Sequence, residues 1–342
     1  MNPYFGVRPA GWITGEPSAR AAELIRWAEM ADGLGFEVLF VGERLLSAAG
    51  GPELAVYDAP MFEPFVLLSA IAARTTRIRL APLITVIPFR HPAQLAKITA
   101  TLDAVSNGRM IVGAGSGWSD AELTMFDIDR RGRGAQMEEG IELLRRFWSG
   151  ESVTAEGRFW TLKDVRVTPT PIQVHGPPVW MASFAPDDAI TFSGTFSPGQ
   201  RRSLERIGRI ADGWAPLTYS AGHKTQLKAE QLAEGWALIV DAATAAGRDP
   251  GSIDILYPHW IEIVENDEDV IAAREGLARF FPGTYEEAQS TYLIGTAEEI
   301  AERVRDHTSG LPRVDGYLFT SISERPIQLR AIAQRLRPLL DG

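Results

Sequence analysis

The sequence predicts an α/β fold, a (β/α)8 TIM barrel with loop insertions, from three observations. Eight apolar strand candidates alternate with helical patterns along the chain. Within residues 78–118 the order is strand, helix, strand, and two consecutive strands joined by a helix are parallel neighbours. Finally, 342 residues without an internal repeat, low-complexity tract or linker suit one barrel, so residues 1–342 are expected to form a single domain.

Residues 4–7 are the short first strand, and Ser18 precedes a helix with Ala21, Leu24, Ala28 and Ala31 on one face. Residues 37–41 are the second strand. Its exit carries Gly42, Glu43 and Arg44, and a long loop containing Gly50, Gly51 and Pro52 leads to a helix over 64–74. The run 78–87 is apolar on both faces, as a buried parallel strand must be, and Pro88 and Pro92 stop it. From Pro92, residues Leu95, Ile98, Leu102 and Val105 recur at helical spacing until Asn107 and Gly108. Residues 110–112 then run into Gly113-Ala114-Gly115-Ser116-Gly117.

Polar residues 119–133 are expected to cover that glycine loop, followed by a helix over 136–149. Glu156-Gly157 marks a hairpin turn, residues 169–178 are extended, and 179–183 are the fifth strand. A helix over 204–211 precedes the sixth strand, 213–217, and a long helix over 224–246 precedes the seventh, 254–264, which holds Pro258-His259-Trp260. Residues 267–281 read as helical, and Thr296 with Glu299 forms a capping box. The eighth strand, 315–319, is expected beside the first, because two exposed parallel edges would otherwise remain. Leu329, Ile332, Leu336 and Leu339 mark the closing helix.

Composition narrows the function. A net charge of −10 argues against nucleic-acid and anionic-membrane surfaces and leaves small molecules as partners. The absence of cysteine removes disulfides, thiolate nucleophiles and Cys-ligated metals. The five histidines are scattered without a ligand pair, so no metal is expected. No apolar run is long enough for a signal peptide or a membrane span, and a cytoplasmic enzyme is the expectation.

Glycines at 113, 115 and 117 let backbone N–H groups approach an anion or a flat ring. A dinucleotide fingerprint would need glycine at position 118, which is Trp118. On spacing alone the loop is equally a tight strand-to-helix turn.

Gly35-Phe36, Val41-Gly42-Glu43-Arg44, the 76–80 run TRIRL, Arg90-His91-Pro92-Ala93, the 100–103 run ATLD, Asn107-Gly108-Arg109 and Gly113 through Trp118 together resemble the bacterial luciferase-like flavin-dependent oxidoreductases. Further on, the 143–148 run LLRRFW, the 169–173 run PTPIQ, Pro177-Pro178-Val179-Trp180 and Ala211-Asp212-Gly213-Trp214 keep that family's order, so the resemblance spans nearly the whole chain. It implies an FMN- or F420-dependent oxidoreductase, and a homodimer. In relatives a strand passes almost directly into a helix where residues 184–200 stand here, so these read as an inserted loop, either a surface excursion or a lid.

The resemblance also assigns a site. Cofactor contacts fall on Leu83, Ile84 and Thr85, on Ser116, Gly117 and Trp118, and on Ala182 and Ser183. The phosphate meets Ser116, Gly117 and the fifth-strand exit, while the ring packs on the third strand, where a non-proline cis peptide at 83–84 or 84–85 is expected. Glu43 and Arg44 are the catalytic candidates at a strand end. Arg44 stands where family members often carry histidine, and a permanent cation cannot be a general base; a surface ion pair is its alternative role. His91 is expected to orient a helix start. Trp12, Phe62, Phe89, Trp118 and Trp260 favour an apolar or aromatic substrate.

The first reading is therefore a monooxygenase that takes reduced FMN from a separate flavin reductase and oxygenates an organic substrate. The second is F420-dependent hydride transfer, and the third a flavin-binding protein without turnover. A hydrolase on the same barrel lacks a visible nucleophile with a matched base.

Overall fold

The computed structural model describes residues 2–46, 60–184 and 194–341. Strands β1 (Tyr4–Arg8), β2 (Val38–Val41), β3 (Arg79–Pro82), β4 (Thr85–Val86), β5 (Val112–Gly115), β8 (Val179–Ser183), β9 (Gly213–Pro216), β12 (Asp254–Ile263) and β14 (Gly316–Ser321) form one parallel ring, and a short strand outside it, β13 (Leu293–Gly295), pairs with β12. Around it the order is β3, β2, β1, β14, β12, β9, β8, β5, β4. The ends of that order meet because β3 and β4 are two halves of the third barrel strand: Val41 pairs with Pro82 on one side and Ala114 with Thr85 on the other. A parallel bridge from Leu80 to Met110 completes the closure, which leaves eight barrel positions. The eighth lies beside the first, with Tyr4 opposite Gly316, as the edge argument requires.

Alternation with period two sends one residue set into the barrel and the other toward the helices. Val38, Phe40, Ala81, Ile111, Trp180, Ala215, Leu256 and Leu318 fill the interior. Gly6 belongs to this set because a Cβ there would meet Leu318 Cδ2 at 2.5 Å. Tyr4 stacks on Trp180 at 5.8 Å and donates to Asp254 Oδ2 at 3.2 Å, while the Arg79 guanidinium lies over the same indole; together they close the N-terminal end. Ligands are left the opposite end.

Several motifs that carry the family resemblance are brackets at the N-terminal side. Arg109 donates to the carbonyls of Ala72, Thr75 and Ile78, and Asp103 accepts from the backbone N–H groups of Ile172 and Gln173. Asp212 accepts from Val179 N–H and from Arg145. Asn107 ends the helix Pro92–Ser106 in the left-handed region, and His91 caps its start by accepting from Ala93 N–H.

Some expected boundaries change. The apolar run 78–87 is not one strand: it breaks after Pro82, resumes for two residues, and ends in a 3-10 turn at Ile87–Phe89 because Pro88 cannot extend a ladder. The fourth barrel strand runs further than expected and includes Gly113 and Gly115. The helix expected over 224–246 spans Ala229–Ala245, since Thr225–Gln226 (β11) pairs instead with Tyr219–Ser220 (β10). Residues 267–281 are helical only over Asp267–Leu277. The hairpin around Gly157 is present as β6 (Val153–Glu156) against β7 (Thr161–Val165), and the Thr296–Glu299 capping box is formed. Gly50, Gly51 and Pro52 lie outside the described residues, as do residues 185–193 of the expected insertion; its last part caps and opens the helix Pro198–Ile210.

Candidate active site

The C-terminal face is organised by the break between β3 and β4. The Leu83–Ile84 peptide is cis, one of the two positions the sequence suggested. Leu83 and Ile84 are half-buried, while Thr85 and Val86 behind them are buried.

The glycines of β5 have a different reason from the one their spacing suggested. A Cβ on Gly113 would meet Pro82 O at 2.2 Å, and one on Gly115 would meet Ile84 Cδ1 at 2.0 Å. Gly113 and Gly115 therefore make room for the chain at the break. Gly117 is the turn residue, with φ +79°, and its carbonyl accepts from Arg133 Nε at 2.9 Å. Ser116, Gly117 and Trp118 stay half-buried at the rim.

Glu43 and Arg44 leave the β2 exit in opposite directions. Glu43 Oε2 accepts from Thr85 Oγ1 at 2.9 Å and from Val86 N–H at 2.6 Å, and Oε1 pairs with Arg90 at 2.5 Å. Its side chain is only 5% exposed. With both oxygens engaged by the chain just after the break, Glu43 is a bracket for the bulge. Arg44 turns to the rim, where its Nε donates to Leu46 O at 3.0 Å and its guanidinium lies 5.1 Å from the centre of the Trp118 ring. Glu122, on the helix Asp120–Met125, accepts from the N–H groups of Leu45 and Leu46, which ties the segment after Arg44 to the segment after Trp118.

At the β8 exit Ala182 is half-buried, and Ser183 Oγ accepts from the Trp214 indole at 2.7 Å. Phe184 stacks on Phe196 at 5.3 Å. The helix Pro198–Ile210 starts here, capped by Ser197 and Gln200. Gln200 is buried, its Oε1 accepts from Ser197 N–H, and its Nε2 has no partner among the described residues. A buried amide donor at a helix N-terminus beside a small residue suits a phosphate, and the half-exposed Leu83–Ile84 surface suits a flat ring. These residues fit a flavin with its phosphate at the β8 exit.

Three residues of the mouth lie outside the expectations drawn from the sequence. Arg8 ends β1, one residue beyond the strand expected, and its guanidinium lies 5.8 Å from the Phe40 ring and 5.7 Å from the Trp260 ring; the barrel-end rule applied one position further on would have found it. Tyr219 accepts from Trp260 Nε1 at 2.5 Å, and nothing in its sequence neighbourhood pointed there. Glu262 is buried on β12, with Ser323 N–H donating to Oε2 and no partner for Oε1 among the described residues. Burial pushes its carboxyl up to about 7. On the same strand, burial holds the His259 imidazole well below its ordinary value.

Of the expected aromatic residues, Trp12 and Trp260 do meet, at 5.7 Å, and both pack on Phe280. Phe89 stacks elsewhere, on Phe126 at 4.5 Å. Among the described residues no cluster of three or more His, Asp or Glu is placed to hold a metal, and no helix is long and apolar enough to cross a membrane.

An eight-position parallel barrel whose C-terminal mouth carries a broken third strand, a stacked arginine and a capped helix start has the architecture of a barrel enzyme. The chain belongs to the luciferase-like monooxygenase family, which matches residues 5–312. Among curated relatives, limonene 1,2-monooxygenase of Rhodococcus erythropolis is 28% identical over 276 residues, covering 80% of this chain and 64% of that enzyme. An F420-dependent glucose-6-phosphate dehydrogenase of Kineococcus radiotolerans is 28% identical over 252 residues, 57% of this chain and 75% of that enzyme. The crystal structure of a monooxygenase from Streptomyces bottropensis superposes with a TM-score of 0.77 at 25% identity, over 98% of this chain and 99% of that one.

Proposed function

We propose that the protein is the oxygenase of a two-component system, binding reduced FMN delivered by a separate flavin reductase and oxygenating an apolar or aromatic substrate. The observation that carries this reading is the half-exposed Leu83–Ile84 bulge, which Glu43 brackets from behind and Gly113 and Gly115 accommodate from the side. The chemistry a reduced flavin would supply is the two-electron activation of molecular oxygen. Leu83 and Ile84 would support the ring, Ala182, Ser183 and Gln200 would hold the phosphate, and the Arg44 cation stands at the rim beside Trp118.

Hydride transfer by F420 is the second reading, favoured by the dehydrogenase relative. Arg44 weighs against it, because a guanidinium cannot exchange a proton at neutral pH. A homodimer is proposed through the helices Pro64–Ala72 and Pro92–Ser106, where Val66 is 71% and Val105 54% exposed. The test of the function is to supply FMN, a flavin reductase and isotopically labelled molecular oxygen to a panel of terpenes and aromatics. Label in a product supports the reading; flavin reoxidation with no labelled product from any of them counts against it.

A further inference from the structure

Among the described residues, the aromatic wall of the mouth contains a hydrogen-bond donor for which the fold supplies no acceptor. Tyr219 follows β9, and its neighbour Thr218 is fixed by donation to Pro258 O at 2.6 Å. The phenol oxygen lies 2.5 Å from Trp260 Nε1. An indole N–H is a donor only, so the Tyr219 oxygen must be the acceptor and its own hydrogen is left over. Among the described residues no acceptor lies within hydrogen-bond distance of that hydrogen, and the bare Nε2 of His259 makes no hydrogen bond to it. His259, whose ring centre is 5.3 Å away, directs Nδ1 to Trp260 O.

Trp260 is held by Phe280 at 4.3 Å, by Trp12 at 5.7 Å and by the Arg8 guanidinium above it, so the phenol is anchored to a fixed wall. Tyr219 as a whole residue is half-buried. Its hydroxyl is pushed up to about 12 by burial, so it stays a proton donor throughout the neutral range.

We propose that Tyr219 positions the substrate, donating its phenolic hydrogen to a neutral oxygen acceptor, a carbonyl or hydroxyl, on an apolar ring compound lying against Trp260. This rests on reading the barrel mouth as a flavin-enzyme site. It deepens that reading by assigning the substrate class: a hydrophobic ring bearing one oxygen acceptor, rather than a plain hydrocarbon. A neutral pair of this kind is worth a several-fold to about tenfold preference in affinity.

The test compares acetophenone with ethylbenzene, matched rings with and without a carbonyl, by calorimetry on the FMN-loaded protein. Wild type is expected to prefer the ketone by that factor. Tyr219→Phe is expected to erase the preference while leaving ethylbenzene and FMN affinities unchanged. A preference that survives in Tyr219→Phe overturns the assignment, as does an equal loss for both probes, which would mark a packing role. Absence of any preference in wild type overturns it even if the variant does not fold. Failure of wild type to bind reduced FMN under anaerobic conditions is a separate result, which removes the flavin reading itself.

Discussion

The Arg44 guanidinium lies over the Trp118 ring, 5.1 Å from its centre, so two residues 74 positions apart in sequence meet at the rim of the barrel. A stacked guanidinium keeps its charge and its orientation. Replacing Arg44 with Ala is expected to lower turnover roughly a hundredfold, the cost of one preorganised donor, while FMN affinity changes little. Arg44→Lys should recover only a small part, because an ammonium does not stack as a planar fork does. Steady-state kinetics beside a flavin titration checks both, and unchanged turnover in Arg44→Ala would remove it from the reacting centre.

Glu43 and Arg90 are a buried pair, and Glu43 also holds Thr85 and Val86. Removing Glu43 leaves Arg90 paired with Glu63 alone, at 3.0 Å, and frees the Thr85 hydroxyl and Val86 N–H behind the break, a loss of about 1–3 kcal/mol for buried groups left unsatisfied. Glu43→Ala should lose stability of that order in urea unfolding and weaken FMN binding with it, since the bulge loses its bracket. A variant as stable as wild type would contradict this account.

The glycines give an ordered pair of outcomes. At Gly113 a new Cβ would press on the Pro82 carbonyl oxygen, which is backbone, whereas at Gly115 it would press on Ile84 Cδ1, the far end of a side chain that can turn aside. Gly115→Ala should cost about 1–3 kcal/mol, as overpacking usually does, and Gly113→Ala more. Thermal melts of the two variants test the order, and the reverse order would mean the β3–β4 break is softer than described.

Glu262 links stability to pH. Its folded value of about 7 lies above the ordinary 4.5, so the folded state binds the proton more tightly than the unfolded chain does. The stabilisation is fully present below about 4.5 and is lost as pH rises through about 7, amounting to roughly 3 kcal/mol. Glu262→Gln should flatten this part of the profile and be more stable than wild type at pH 8, relative to pH 5. Parallel urea profiles for wild type and variant would refute the assignment.

The barrel was legible because its evidence is periodic: buried parallel strands read as continuous apolar runs, and helices such as Pro92–Ser106 show their face at three and four. The Leu83–Ile84 position could be narrowed to two bonds, though only through the family resemblance. What could not be read was the purpose of the glycines, because Gly113 and Gly115 answer to atoms of residues 82–84 about thirty positions earlier, and spacing along the chain says nothing of that approach. Glu43 was placed at the mouth by the strand-end rule, but its engagement by Arg90, Thr85 and Val86 depends on the break in the third strand, which local propensity does not show. Tyr219 escaped because it sits on a two-residue strand hidden within a stretch that reads as loop and helix.

The central claim is that the bulge at Leu83–Ile84 is a flavin platform, and an anaerobic titration of the apoprotein with reduced FMN and with reduced F420 tests it most directly. The account predicts saturable one-to-one binding of FMN, tighter than F420 and weakened in Gly113→Ala. Binding of neither cofactor, or of F420 alone, would contradict it.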